Sequence, residues 1–317
     1  MIVWIIFFVL ITTFLAIDLG VFNKTPHDVS TKEALTWTSI WVVVSLSFGV
    51  VIFFAYENDW VAHDGALDGK LAVLKYLTGY LLEYSLSMDN IFVIALIFNY
   101  FKIPKSYQHR VLFWGIIGAV IFRGLMIAVG VALIHRFQWM TYLLGLMLIY
   151  SAYKMLRSGD AEVDPNHNAV VRLFRKVFPV TKTFYQDRFF VKRKYITAAT
   201  PLFVALIVVE TTDILFAIDS IPAILSITTD PFLVFSSNIF AILGLRSLYF
   251  VLAAMLDKFS LLKYSLVFIL AFVGVKMLIA HWYHFEEWVS LAIVLGALLL
   301  GIGASLYINR DKKPLNV

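Results

Sequence analysis

Runs of about 20 apolar residues recur along most of this chain, each long enough to cross the ~30 Å hydrocarbon core of a bilayer. Lipid offers no hydrogen bonds, so every backbone polar group in such a run must be bonded within the protein, and the runs are read as α-helices. Composition agrees. Of 317 residues, 61% are hydrophobic, and the mean hydropathy is +0.85. A water-soluble chain of this length would expose far too much apolar surface. The expected fold is an all-α polytopic membrane protein, a single transmembrane domain over 1–317. Nine spans are expected, near 3–22, 38–56, 72–99, 110–134, 139–157, 197–226, 231–255, 262–281 and 285–308. The first run, Val3 to Phe22, lacks a basic leader and a small-x-small cleavage site and is read as a retained span.

Loop charges set an orientation. The net charge of +5 comes from basic residues clustered in short loops, which reads as topology and not as nucleic-acid binding. The loop after span two is acidic (Glu57, Asp59, Asp64, Asp68), whereas the one after span three holds Lys102, Lys105 and Arg110. The connector 158–196 carries Arg172, Arg175, Lys176, Lys182, Arg188, Lys192, Arg193 and Lys194, and the tail ends in Arg310, Lys312 and Lys313. Alternating these loops by the positive-inside rule puts the N-terminus outside and the C-terminus in the cytoplasm. The connector is then a cytoplasmic linker with a turn at Asp164-Pro165-Asn166. Its segment Val170 to Phe178 is read either as a solvated charge run or as a short amphipathic helix on the membrane surface.

Two spans carry acids at matching spacing. Glu83-Tyr-Ser-Leu-Ser-Met-Asp89-Asn90 parallels Asp213-Ile-Leu-Phe-Ala-Ile-Asp219-Ser220, and Glu210 adds an acid one turn before the second. Other landmarks repeat in the same order. The offsets are 130 from Asp89 to Asp219, 123 from Arg123 to Arg246 and 122 from Lys154 to Lys276. Spans three to five (72–157) therefore read as a repeat of spans six to eight (197–281), with spans one, two and nine peripheral. The loop charges turn the two copies over relative to each other, an architecture of secondary transporters whose sites lie near the midplane.

Each ionised side chain at the bilayer centre costs ~2.5–3.5 kcal/mol, so Glu83, Asp89, Glu210, Asp213 and Asp219 unpaired would cost roughly 12–18 kcal/mol. Arg123 and Arg246 supply two bases for five acids, read first as structural counter-ions. The excess negative charge calls for a cation or protons. On a helix Glu210 and Asp213 lie about 60° apart and share a face, but Glu83 and Asp89 lie about 120° apart, as do Asp213 and Asp219. Each of those pairs either meets on an unwound helix or serves two stations. Pro222 has no N–H and frees the carbonyl of Ile218, so the second helix is expected to open there. Asn90 and Ser220 are candidate neutral ligands, and Asn238 either supports the site or bridges helices. Lys154 and Lys276 are read as snorkelling, and Asp18 as interfacial. The donor set is all oxygen, with no cysteine in the chain, which favours hard cations (Mn²⁺, Mg²⁺, Ca²⁺) and excludes disulfides and thiol chemistry. The same carboxylates could exchange metal for protons. No resident cofactor is expected. An intramembrane hydrolase would need a partner motif, nucleophile elbow or zinc signature that the chain does not offer.

The segments Glu83-x5-Asp89-Asn90, Glu210-x2-Asp213-x5-Asp219-Ser-Ile-Pro-Ala and Thr229-Asp-Pro-Phe-x4-Ser-Asn238-Ile-Phe-Ala-Ile-Leu-Gly-Leu-Arg246 closely resemble the TerC family of bacterial membrane proteins, its Alx branch most of all. The likeness runs through Leu261-Leu-Lys-Tyr to Lys276-Met-Leu. It implies a bacterial inner-membrane location, inverted three-span repeats and metal-ion homeostasis, with manganese export in Alx-like members. The family name derives from tellurium-resistance clusters, and some members are labelled redox modulators. A membrane scaffold in metal or tellurite stress, without transport of its own, is the competing expectation.

Overall fold

The computed structural model describes residues 2–20, 30–62, 67–137, 139–157, 169–181, 183–193, 196–253, 261–280, 282–283 and 285–309. In chain order these form α1 (Ile2–Gly20), α2 (Thr31–Glu57), α3 (Gly69–Tyr100), α4 (Lys105–Arg136), α5 (Met140–Arg157), α6 (Ala169–Val177), β1 (Phe190–Arg193), β2 (Ile196–Ala199), α7 (Pro201–Leu225), α8 (Pro231–Leu243), α9 (Leu245–Ala253), α10 (Leu262–Ile279) and α11 (Glu287–Asn309). The expected turn at 164–166 and the basic tail lie outside the described residues, as do the side chains of Asp18 and Asp89.

Among the described residues, six helices are long and apolar enough to cross a membrane: α2, α3, α4, α7, α10 and α11. The pair α8–α9 adds a seventh if it is one span broken by a 43° bend. The other two expected spans fall on α1 (Ile2–Gly20) and on α5, whose last turn carries Lys154 and Arg157. The start of span six also shifts. Pro201 at the first helical position sets the N-terminus of α7, and the residues before it pair as the hairpin β1–β2.

The helices are sorted inside out relative to a soluble protein. Ile121, Leu125, Leu215 and Leu299 stand on the exterior, while Glu83, Arg123 and Asn238 are fully buried. Thr211 and Thr212 return their hydroxyl protons to the carbonyls of Ile207 and Val208, so neither leaves an unpaired donor in lipid. An aromatic core joins α1, α2, α3 and α8, where Phe7 and Tyr76 pack around Phe240, whose ring lies 4.5 Å from that of Phe48.

Around this core α3 packs on α8, α4 on α7 and α5 on α10, while α3 also meets α7 and α4 meets α8. The α5–α10 contact needs two glycines. A Cβ on Gly145 would lie 3.0 Å from the Gly274 carbonyl, and one on Gly274 2.9 Å from the Gly145 carbonyl. Such close backbone approach is how transmembrane helices gain packing that lipid does not drive. Beside them Lys276 departs from expectation. It does not snorkel but is buried, its Nζ 3.3 Å from Glu287 Oε2 and 2.9 Å from Ser290 Oγ on α11. Lys154, on the exposed face of α5, is free to reach the interface.

The connector folds back onto the α3–α4 end of the bundle. Asp187 pairs with Arg110 at 2.6 Å, and the Arg110 guanidinium stacks over Phe189 at 5.0 Å. The loop 101–104 and the start of α7 therefore lie on one side of the molecule with the connector.

Candidate functional site

Glu83, Arg123 and Asp213 each sit within about a turn of the midpoint of α3, α4 and α7, where those helices converge with α8. Arg123 is wholly enclosed and organises the cluster. Its Nε reaches Asp213 Oδ2 at 3.2 Å and its Nη2 reaches Asp213 Oδ1 at 2.9 Å, a forked pair. Its Nη1 pairs with Glu83 and lies 3.4 Å from Asn238 Oδ1. Asn238 Nδ2 donates to Glu83 Oε2 at 3.3 Å, and Ser87 Oγ donates to Glu83 Oε1 at 3.3 Å. The Asn90 amide satisfies both ends when its oxygen accepts from Arg123 Nη2 at 3.1 Å and its nitrogen donates to Leu86 O at 3.3 Å. One guanidinium, two carboxylates and two amides thus close on one another, with a net charge of −1.

The second group lies nearly two turns further along α7. Asp219 accepts a hydrogen bond from Ser151 Oγ at 2.6 Å. With Asn90, Ser220, Leu86, Phe216 and Leu270 it lines a void of about 30 Å³. The Ser220 hydroxyl is buried and has no hydrogen-bond partner among the described residues. No ion pair joins Asp219 to a base among those residues. Asn90 belongs to both groups, one side chain linking the Arg123 cluster to the void.

The remaining acids stand apart. Glu210 lies against α4, where a Cβ on Gly118 would overlap its carboxylate, and its Oε2 has no partner among the described residues. The backbone of Asp89 is helical in α3, but its side chain is outside the described set. Among the described residues no three His, Asp or Glu side chains gather as a preformed metal cage.

A family model for the integral membrane protein TerC family matches residues 68–313. The chain belongs to the TerC family. At 45% identity over 307 residues, it is similar to an uncharacterized membrane protein of Myxococcus xanthus, covering 97% of this chain and 92% of that one. It is 41% identical to an uncharacterized membrane protein of Rickettsia bellii over 95% of this chain and 96% of that one. An Escherichia coli K12 protein provisionally named "membrane-bound redox modulator Alx" is 40% identical over 96% of this chain and 94% of its own length. No solved structure matches the chain.

In this TerC-family chain two expectations about the site change. Pro222 does not open its helix: α7 runs unbroken to Leu225, and Ser226 N–H still donates to the Pro222 carbonyl at 3.1 Å. Proline removes one N–H and crowds the Ile218 carbonyl, but the buried neighbours Ile221, Ala223 and Ile224 hold the turn in place. A break falls instead at Gly244, between α8 and α9. Arg246, the proposed twin of Arg123, lies just past that break and meets His109 Nε2 at 2.8 Å, away from the Arg123 cluster. Ser151 and Gly118 were not expected. Ser151 is one of several hydroxyl side chains of α5, and only the packing of α5 against α7 pairs it with Asp219. Ser87 had a signal, because it follows Glu83 by four residues and so faces it.

Proposed function

We propose that this protein exports divalent metal cations, Mn²⁺ foremost, across the bacterial inner membrane, along a carboxylate path between two inverted three-helix repeats, with protons as counter-ions. The observation that carries this reading is the Asp219 void. Among the described residues, the half-buried Asp219 carboxylate pairs with no base and the buried Ser220 hydroxyl has no partner, and both face a space of about 30 Å³ that the Asn90 amide also lines. That volume is close to the room one water takes in the liquid. Oxygen donors of this kind suit hard cations.

The helix pairing supports the repeats. Exchanging α3 with α7, α4 with α8 and α5 with α10 turns the α3–α8 contact into α7–α4 and maps the α5–α10, α3–α7 and α4–α8 contacts onto themselves. The connector packs beside loop 101–104, which supports putting both basic segments in the cytoplasm. Because α3 and α7 stay helical through their acid pairs, the members of each pair diverge by about 120°. This favours two stations over one shared cage. At the first, Arg123 stands where a cation would, holding Glu83 and Asp213. At the second, Asp219 and Ser220 receive the ion, and the Asn90 amide lies between.

Thiol redox chemistry is closed to a chain with no cysteine, whatever activity the name of the Escherichia coli relative describes. A scaffold would not need carboxylates turned into the bundle, as Glu83 is. The test is transport in proteoliposomes over a panel of divalent cations with a pH dye inside. Wild type moves Mn²⁺ with counter-flow of protons, and Asp219→Asn does not. Wild-type transport by Asp219→Asn, or no transport by wild type of any cation, sinks the reading.

A further inference from the structure

Glu210 is the acid that the two stations leave over. It precedes Asp213 by three residues on the same face of α7, yet it shares none of the bonds of the Arg123 cluster. Its carboxyl lies in the seam between α4 and α7, against the backbone of Gly118, where any Cβ would overlap it. Its buried Oε2 has no hydrogen-bond partner, and no ion pair reaches the carboxyl, among the described residues.

The surroundings explain the isolation. Arg123 is the nearest base along α4, but it leaves that helix about 140° round from Gly118. Its Nε, Nη1 and Nη2 are committed to Asp213, Glu83 and Asn238. Lys105, His109, Arg110, His135 and Arg136 stand in the end turns of α4. On the other helices packed against α7, Glu83 of α3 is held in the cluster, Lys154 and Arg157 of α5 sit in its last turn, and Lys276 of α10 is bonded to Glu287. A bare carboxylate in this seam would lose its hydration and gain neither a counter-ion nor a donor, which is costly inside a membrane. The neutral acid needs no counter-ion and avoids most of that cost.

We propose that Glu210 is the proton site of the exchange: it holds a proton at rest and gives it up as a divalent cation enters. The inference rests on the export reading and adds to it the group that carries the counter-ion. Charge supplies the link. With Glu210 neutral, Glu83, Asp213 and Arg123 carry a net −1, and loss of the proton takes the group to −2, one turn of helix from Asp213. A divalent ion matches that charge. Along α7, Glu210 lies about 13 Å from Asp219, with the Arg123 cluster between them. It stands toward the connector end of the bundle, the side from which the cation enters in the proposed orientation. Proton and cation then hold separate carboxyls and exclude each other through charge.

Dicyclohexylcarbodiimide reports such a proton. It adds to a protonated carboxyl in apolar surroundings, the acid proton going to a carbodiimide nitrogen and the carboxyl oxygen to the central carbon. On the full chain in liposomes, peptide mass mapping should find the adduct on Glu210, and a saturating divalent cation should slow its formation severalfold. An adduct on Glu210 that no divalent cation slows overturns the exchange. Should the reagent leave Glu210 unmodified, the infrared difference between wild type and Glu210→Gln decides. A C=O band of a protonated acid that is present in wild type and lost in the variant supports the proton site, and its absence overturns it. The two readings fail separately. Cation-slowed labelling without transport in proteoliposomes keeps the proton site and sinks export, whereas transport by a protein whose Glu210 shows neither adduct nor acid band keeps export and sinks the proton site.

Discussion

The Arg123 cluster and the Asp219 void lie nearly two turns apart along α7 and solve the same problem in opposite ways. In the cluster, each buried charge meets an opposite charge or an amide, and Arg123 and Asn238 bond back to the acids. In the void, among the described residues, one carboxylate is bonded by a single hydroxyl and another hydroxyl has no partner. A satisfied network specifies and rigidifies, and an unsatisfied one stores cost that a ligand can relieve. The first region reads as the part that the fold needs, the second as the part that the proposed substrate would use. Mutations should separate the two.

The largest effect belongs to Arg123. Replacing it by glutamine leaves Glu83 and Asp213 facing each other without a base, and breaking a buried pair from one side costs about 3–5 kcal/mol. Arg123→Gln should therefore fold poorly or melt many degrees below wild type in detergent, and lose transport with it. Asp219→Asn should behave differently, keeping wild-type melting while transport is abolished. Equal melting losses for both variants would erase the distinction between the two regions.

The sequence carried one of these regions better than the other. Acids in apolar helices are expensive wherever they lie, so Glu83, Asp213 and Asp219 were legible without a partner in view, and the surplus of acids over arginines already called for a cation. The connector helix was legible as amphipathic, and the long spans were set by hydrophobic length. What stayed hidden was who meets whom across helices. Arg123 and Arg246 look equivalent along the chain, yet α4 carries one into the centre and the bend at Gly244 leaves the other beside His109. Lys276 looked like a snorkelling residue until α11 brought Glu287 and Ser290 to it. Pro222 suggested a helix break because a local rule was applied where packing overrides it. Local chemistry is written in sequence, but pairing between helices depends on rotations of a few tens of degrees that apolar runs leave open.

A smaller effect should come from pH. A carboxylate must be deprotonated to hold a metal, so lowering pH opposes binding. If one proton is exchanged for each metal ion bound, Mn²⁺ affinity should fall as pH is lowered from 8 to 5, by at most about tenfold per unit. Calorimetric titration of the wild-type protein with Mn²⁺ across that range checks the sign. An affinity that stays flat would mean that protons do not compete at the metal site, and would remove the coupling from the proposed exchange.

The smallest change is the most discriminating, because stability and function should move in opposite directions. Ser220→Ala removes a buried hydroxyl that has no partner among the described residues. Removing an unsatisfied polar group is close to neutral or stabilising, by as much as about 1 kcal/mol, since its desolvation is no longer opposed to folding. The same hydroxyl is a ligand in the proposed station, so Mn²⁺ affinity should drop several-fold. Ser151→Ala makes the control: its hydroxyl is already committed to Asp219 at 2.6 Å, so its loss strips the carboxylate of its one described partner and should cost stability. Melting curves and Mn²⁺ titrations on the two serine variants therefore form a cross. If Ser220→Ala is destabilising and leaves Mn²⁺ binding unchanged, the void is ordinary packing, and the orphan hydroxyl was never waiting for an ion.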